Sequence, residues 1–108
     1  MNRGDVRWYK FKEPDKHRPV LILTRNSIIR YLNEVTIAPI TTTIRDIPSE
    51  VLLTPDDGMY TTCVANFDHI QTVPKGNLGD LITHLPNTRM EEVKNAVLFA
   101  FGLEETLY

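Results

Sequence analysis

The chain has 108 residues, of which 42% are hydrophobic and 24% charged, the size and composition of one ordinary globular domain. Cys63 is the only cysteine, so no disulfide forms within the chain and a reducing, cytoplasmic setting is expected. No apolar run approaches the roughly 20 residues that span a bilayer, and the charged start MNRGDVRW predicts no secretory signal. We therefore expect a single domain over residues 1–108 and no membrane segment.

Charge is distributed unevenly along the chain, although the net charge is only −2. Residues 1–54 carry nine Lys/Arg against six Asp/Glu, whereas residues 55–108 carry three against eight. A general nucleic-acid coat would be basic overall, with a pI above about 9. The basic first half either binds a short stretch of phosphates or forms an ordinary solvated surface.

Short strand patterns dominate the first part of the chain. The β-branched and aromatic residues at 5–11 predict a half-buried strand, and the polar segment 12–18 predicts a loop. The continuous apolar run at 19–24 predicts a strand that is buried on both faces. A short helical turn is expected within residues 26–33.

The middle of the chain continues this pattern. Residues 34–41 predict a strand in which Pro39 marks an edge or a bulge, because proline donates no ladder hydrogen bond. Residues 49–54 and 59–64 predict a hairpin around the turn PDDG, and residues 67–73 predict another strand.

A last strand at 80–85 precedes one clear helix. Thr88 and Glu91 match a capping box at its start, and Gly102 stands where a C-terminal cap belongs. The apolar positions recur at helical spacing: Met90, Val93, Val97 and then Phe101 or its neighbour Ala100. Six or seven short strands and a terminal helix predict a mainly β fold, a small curved antiparallel barrel with the helix packed on it.

Metal and cysteine chemistry have little support in the sequence. His17, His69 and His84 lie far apart without ligand spacing, and no cysteine pair or Gly-rich phosphate loop is present, so no metal or other cofactor is expected. Cys63 lies inside an apolar stretch and is expected to be a buried free thiol.

Two polar features remain as candidate chemistry. Arg18 follows His17 at a loop-to-strand junction, and the run Thr41 to Thr43 ends another strand. A guanidinium and a hydroxyl can together hold a phosphate and stabilise charge on its oxygens. From the residues alone, a solvated arginine and ordinary β-forming threonines are the favoured explanation of this pattern.

Four segments, RGDVRWYKF, HRPVLILTRN, VTIAPITTT and IPSEVLL, resemble the MazF/PemK/Kid-type toxins in order, spacing and residue type. The later segments CVANFDHIQTV and LGDLITHLPNTRMEEVKNAV continue the match, so the resemblance covers nearly the whole chain. RGDV and RPV are short motifs, but their combination with the P-I-T strand end and the I-x-H-L entry to the helix is specific.

This resemblance implies an SH3-like barrel, a homodimer, and sequence-selective cleavage of single-stranded RNA without a metal. It assigns the catalytic pair to Arg18 and Thr41, with a 2′,3′-cyclic phosphate and a 5′-hydroxyl as product ends. It also implies a cognate antitoxin that wraps the toxin. Arginine is a poor base because its guanidinium stays protonated at neutral pH, so transition-state stabilisation is its expected role, with proton donation to the leaving oxygen as a second one.

The general base is open at this point. Many relatives carry a Gly-rich loop with an acidic residue before the arginine motif, whereas this chain has KEPDKH there. His17 is our candidate because histidine changes protonation near neutral pH, with Glu13 and Asp15 as alternatives.

Further RNA contacts are expected around the segment that matches E/D-x-I-R-T in relatives. The candidates are Thr42, Asn66, Asp68, His69 and Gln71. Gln71 stands where relatives often have arginine, which predicts weaker phosphate binding there. Tyr9 and Trp8 are aromatic candidates for stacking on bases, with core packing the expected role of Trp8.

Two other functions compete with RNA cleavage. CcdB-type toxins share the barrel and poison DNA gyrase through a Trp-containing C-terminal end, but this chain ends EETLY and has its only tryptophan at Trp8. The second alternative is a catalytically silent SH3-like binding module, which an activity assay separates from a ribonuclease.

Overall fold

The computed structural model describes residues 1–12 and 17–104. They form one curved antiparallel sheet, a half-barrel whose strands follow the order β4-β5-β3-β2-β1-β7, with β6 also paired to β3. The strands and helices are β1 (Asp5–Lys10), β2 (His17–Ile22), α1 (Asn26–Ile29), β3 (Glu34–Thr41), β4 (Glu50–Leu53), β5 (Cys63–Asn66), β6 (Gln71–Pro74), β7 (Leu78–His84) and α2 (Asn87–Phe101). Three short 3₁₀ turns cover Pro55–Asp57, Phe67–His69 and Lys75–Asn77. Within the described ranges, no helix is both long enough and apolar enough to cross a membrane.

Strand β2 lies at the centre of the fold, as its apolar run predicts. Leu21 belongs to the apolar core that the sheet shares with α2, whereas Val20 and Ile22 belong to a second core on the opposite face. Because successive side chains of a strand point to opposite faces, this strand is buried on both. The strand begins at His17, so the loop predicted at residues 12–18 extends two residues too far. His17 and Arg18 instead pair with Lys10 and Tyr9 of β1.

Strand β3 changes partner halfway along its length. Its first half pairs with β6 as far as Ile37, and its last two residues pair with β5 from Ile40 onward. Pro39 lies between these two segments and has its partner, Val20, on the β2 side. The strand is therefore central rather than an edge, and proline occupies the one stretch where the outer partner changes.

Two strand predictions need correction. The hairpin partner of β4 begins at Cys63 rather than at residue 59, because the connection continues past the PDDG turn before Leu53 pairs with Cys63. Residues 67–69 form a 3₁₀ turn rather than a strand. The Asn66 side chain accepts a hydrogen bond from the Asp68 N–H, which caps this turn and diverts the backbone from the sheet.

Helix α2 closes one face of the sheet through Val93 and Ala96, which are buried. It begins at Asn87 after Pro86 without a side-chain cap, so the predicted capping box is wrong. Since the helix already starts before Thr88, that residue lies in the first turn. Gly102 ends the helix at φ 69°, as predicted.

At the end of α2, Ala100 rather than Phe101 is the last residue of the apolar stripe, which is the alternative that the sequence left open. Ala100 packs against the core, whereas Phe101 is exposed. The apolar stripe thus faces the sheet up to Ala100 and leaves the aromatic end of the helix in solvent.

Candidate active site

A cleft of about 360 Å³ opens at one end of the sheet, where β2 begins and β3 ends beside the connection between β4 and β5. The residues that line it are Trp8, His17, Arg18, Pro19, Ile40, Thr41, Thr42, Met59, Tyr60, Thr61 and Cys63. All three predicted catalytic residues and one predicted RNA contact, Thr42, are among them. The sheet therefore brings together side chains that lie more than 20 residues apart in the sequence.

The register of β2 and β3 explains why Arg18 and Thr41 share the cleft. The last pairs of this ladder join Leu21 to Ala38 and Val20 to Pro39. The ladder stops there, and continuing its antiparallel register by two residues would bring Arg18 and Thr41 opposite each other. Arg18 is exposed and Thr41 is half-buried.

The hydroxyl of Thr41 is oriented by the chain that follows it. Its Oγ1 accepts a hydrogen bond of 3.1 Å from the Thr43 N–H. A hydroxyl also carries one donor, so the hydrogen of Thr41 is available to an oxygen in the cleft.

The loop after β3 is fixed from the other side by Glu50. Its Oε1 accepts hydrogen bonds of 3.0 Å from the N–H groups of Arg45 and Asp46. This contact holds the threonine-rich segment in place at the cleft rim.

His17 lies beside Arg18 on β2, is exposed, and lines the same cleft. A candidate base must reach the proton that it abstracts, and His17 shares its cleft with Arg18 and Thr41. The alternative bases Glu13 and Asp15 lie outside the described residues.

The two neighbouring aromatic residues of β1 have roles opposite to those expected. Tyr9 is buried in the second core, where its ring packs edge-on against Phe11 at 4.6 Å between ring centroids. Trp8 is half-buried and lines the cleft, with its ring stacked against Tyr60 at 6.1 Å between centroids. The strand period of two fixes this outcome, because the residue next to a core residue faces the other side.

Tyr60 was not predicted as a site residue. It follows the PDDG turn, which is fixed by a reciprocal capping pair of Thr54 and Asp57. Gly58 adopts φ 98°, and the Thr83 hydroxyl of β7 donates a 2.8 Å hydrogen bond to the Asp57 carbonyl. The turn is thus held against β7, which fixes the path of the chain toward Tyr60, two residues after Gly58; no local sequence pattern singles out this residue.

The other predicted RNA contacts lie outside the cleft lining. Asp68, His69 and Gln71 are exposed along the turn and strand after β5, whereas Asn66 is only 3% exposed. The Asn66 amide oxygen is used by the Asp68 N–H at 2.9 Å, and Ser49 donates to the Asp68 carboxylate at 2.6 Å. Asn66 therefore positions Asp68, and only the three exposed side chains can face a ligand directly.

Cys63 at the cleft wall is buried and carries no disulfide, as predicted. Burial, and to a lesser degree the negative charge of Asp57, raises the pKa of its thiol above the ordinary value. The neutral thiol is a weak nucleophile, which fits a packing role. In the part of the chain that the structure describes, no three His, Cys, Asp or Glu side chains come together as metal ligands.

Comparison with known proteins places these features in a family. The family described as "PemK-like, MazF-like toxin of type II toxin-antitoxin system" matches residues 2–101. The chain is 40% identical over 90 residues to Endoribonuclease MazF3 of Mycobacterium tuberculosis (strain ATCC 25618 / H37Rv), covering 83% of this chain and 87% of that protein.

Solved structures agree with the sequence match. The Mycobacterium tuberculosis toxin MazF-mt6 superposes with a TM-score of 0.84 at 36% identity, covering 91% of this chain and 96% of the other. An endoribonuclease from a mycobacterial species, solved in complex with its cognate antitoxin, gives a TM-score of 0.83 at 32% identity and covers 95% and 96% of the two chains. This chain belongs to the PemK/MazF family of type II toxin–antitoxin toxins.

Proposed function

We propose that this chain is an endoribonuclease that cleaves single-stranded RNA without a metal ion, as the toxin of a type II toxin–antitoxin pair. The observation that carries the proposal is the cleft that Arg18 and Thr41 share at one end of the sheet. Relatives that match most of the chain are endoribonucleases by name, which supports the same activity here. The whole of residues 1–108 forms the functional unit.

The reaction begins with attack of a ribose 2′-oxygen on the adjacent phosphorus. His17 takes the 2′-hydroxyl proton, the new 2′-O–P bond forms, and the phosphorus becomes five-coordinate with two negative charges on its oxygens. The P–O5′ bond then breaks, and the departing oxygen takes a proton from Arg18. The products carry a 2′,3′-cyclic phosphate and a 5′-hydroxyl.

Arg18 and Thr41 act on the charge that this step develops. A planar guanidinium can donate two parallel hydrogen bonds to phosphate oxygens, and the Thr41 hydroxyl has its own hydrogen to donate because it already accepts from Thr43. Removal of one donor of this kind typically lowers the rate about 10²- to 10³-fold. Positive charge from the protein thus supplies the stabilisation that other nucleases take from a metal.

RNA binding extends beyond the cleft in this proposal. Thr42 lies at the cleft itself, and Asp68, His69 and Gln71 provide exposed donors and acceptors along the neighbouring turn. Asn66 contributes by holding Asp68 in position. Single-stranded RNA exposes base edges to such groups, which accounts for selectivity among sequences.

We also propose a homodimer and an antitoxin partner. The exposed apolar end of α2, formed by Phe99, Phe101 and Leu103, supports association with a second copy, since grouped exposed apolar residues commonly mark interaction surfaces. An acidic, flexible antitoxin segment would settle on the basic first half of the chain, across Arg18, and folding on binding would let it cover a large surface. The proposed compartment is the cytoplasm.

The proposal is tested by incubating the purified protein with single-stranded RNA and with the same sequence as a duplex. We expect cleavage of the single strand only, unchanged by excess EDTA and lost in Arg18→Ala. Complete loss of cleavage under chelation, or full activity of Arg18→Ala, would overturn the assignment.

A further inference from the structure

The pair of Trp8 and Tyr60 is the most exposed aromatic surface at the cleft. Their rings are inclined by only 26° with centroids 6.1 Å apart, and Tyr60 is 80% exposed. Large aromatic side chains are usually buried, and among the described residues the ring of Tyr60 stacks on Trp8 alone. Both residues line the cleft that contains Arg18 and Thr41.

A second cleft of about 570 Å³ borders the first. It is lined by Trp8, His17, Asn77, Gly79 and Asp80, so Trp8 and His17 belong to both clefts. The tryptophan therefore borders open space in both clefts.

We infer that Trp8 and Tyr60 bind an unpaired base of the RNA by stacking, at one of the two nucleotides that flank the scissile phosphate. This inference rests on the proposed function, because it names a positioning site for that reaction. Tyr60 is 80% exposed, so its ring offers a face to a base that enters the cleft.

The chemistry favours a base over other ligands. Each base has a π face, so stacking on aromatic side chains fixes a nucleotide without requiring one sequence. Arg18 holds the phosphate beside the pair, and a base held by its face leaves the ribose 2′-hydroxyl turned toward that phosphate. Stacking thus restricts the sugar–phosphate geometry that in-line attack requires.

Intrinsic fluorescence reports this contact directly, because Trp8 is the only tryptophan. The probe is a single-stranded oligonucleotide of the mapped cleavage sequence whose scissile ribose lacks the 2′-hydroxyl. We expect saturable quenching of the Trp8 emission. Tyr60→Leu should weaken binding about 5- to 100-fold, the range of one base–aromatic stack, whereas Tyr60→Phe should bind like the wild type.

Matched variants separate stacking from general effects. Tyr31, which is 74% exposed and does not line either cleft, serves as the control, and Tyr31→Leu should not change affinity. Trp8→Phe should retain binding, since a smaller ring still stacks. Replacing one flanking nucleotide by an abasic site should weaken wild-type binding and make it insensitive to Tyr60→Leu.

These experiments distinguish failure of the stacking site from failure of the proposed ribonuclease activity. If the wild type cleaves RNA but Tyr60→Leu binds the probe as tightly as the wild type, or if the Trp8 emission stays constant at saturation, the stacking site is wrong while the ribonuclease stands. If the wild type cleaves no RNA, the proposed function fails first.

Discussion

Arg18 near the start of β2 and Thr41 at the end of β3 line the same cleft, and the ladder between these antiparallel strands stops two residues short of them, at Val20 and Pro39. Arg18 is exposed and Thr41 is half-buried. The two residues can therefore be changed without removing a core group, which makes them suitable for testing the chemistry separately from folding.

Arg18→Ala and Thr41→Ala should each lower the cleavage rate about 10²- to 10³-fold. Because Arg18 is exposed, Arg18→Ala should change the free energy of unfolding by less than about 1 kcal/mol. Arg18→Lys should also be slow, because an ammonium cannot reproduce the planar fork. Single-turnover rates and urea unfolding measure the two effects. Arg25→Ala, an exposed arginine outside the cleft lining, is the matched control and should retain activity.

Gly58→Ala should destabilise the fold by about 1–3 kcal/mol, the usual cost of a residue in a disfavoured backbone conformation. Gly58 has φ 98°, and a Cβ there would lie 2.5 Å from the Thr83 hydroxyl. Gly76→Ala is the control, because its Cβ would meet nothing within 4 Å. Equal urea midpoints for the two variants would contradict the role of Gly58 in holding the turn before Tyr60.

The stability of the wild type should fall at alkaline pH through Cys63. Burial raises the pKa of this thiol in the folded protein above its ordinary value of 9.0. The contribution is therefore complete below the unfolded pKa and is lost as pH rises through the folded pKa, because the unfolded chain ionises first. The difference in unfolding free energy between the wild type and Cys63→Ala should shrink above about pH 9, and a constant difference from pH 7 to 10 would contradict it.

The antitoxin and RNA should exclude one another. Both are proposed to use the basic surface that includes Arg18, so a saturating antitoxin should abolish binding of a non-cleavable oligonucleotide. The association rate of the antitoxin should fall as salt rises, since charge attraction speeds the encounter. Unchanged RNA affinity in the presence of the antitoxin would place the partner elsewhere.

Sedimentation should show a species of twice the 12.4 kDa chain mass at micromolar concentration. A closed two-fold dimer uses the same patch on both copies. A single species of monomer mass would contradict the homodimer.

The strands that bury apolar residues could be predicted from sequence because their pattern directly reflects burial. Val20, Leu21 and Ile22 indicated a strand covered on both faces, and the structure confirms it. Polar capping was harder to predict: the Asn66 side chain caps the turn at Phe67–His69, which interrupts a segment whose composition is typical of a strand. The start of α2 was misplaced for a similar reason, since the Thr88 pattern competes with a helix that already begins after Pro86.

The candidate site likewise contains residues that could be predicted from the sequence and residues that could not. The motif positions Arg18 and Thr41 could be named in advance, and their meeting in one cleft follows from strand register. Trp8 and Tyr9 could not be assigned correctly, because both are aromatic and a shift of one residue exchanges the two faces of a strand. Tyr60 needed the three-dimensional path of the turn, which no local pattern supplies.

The most direct test of the central claim is to map the RNA ends after incubation with the protein in excess EDTA. Attack by the ribose 2′-hydroxyl predicts a 2′,3′-cyclic phosphate on one fragment and a 5′-hydroxyl on the other, at the same sequence in every molecule and absent with Arg18→Ala. Fragments that carry a 3′-hydroxyl and a 5′-phosphate, or cleavage that requires a divalent metal, would contradict the mechanism built on Arg18 and Thr41.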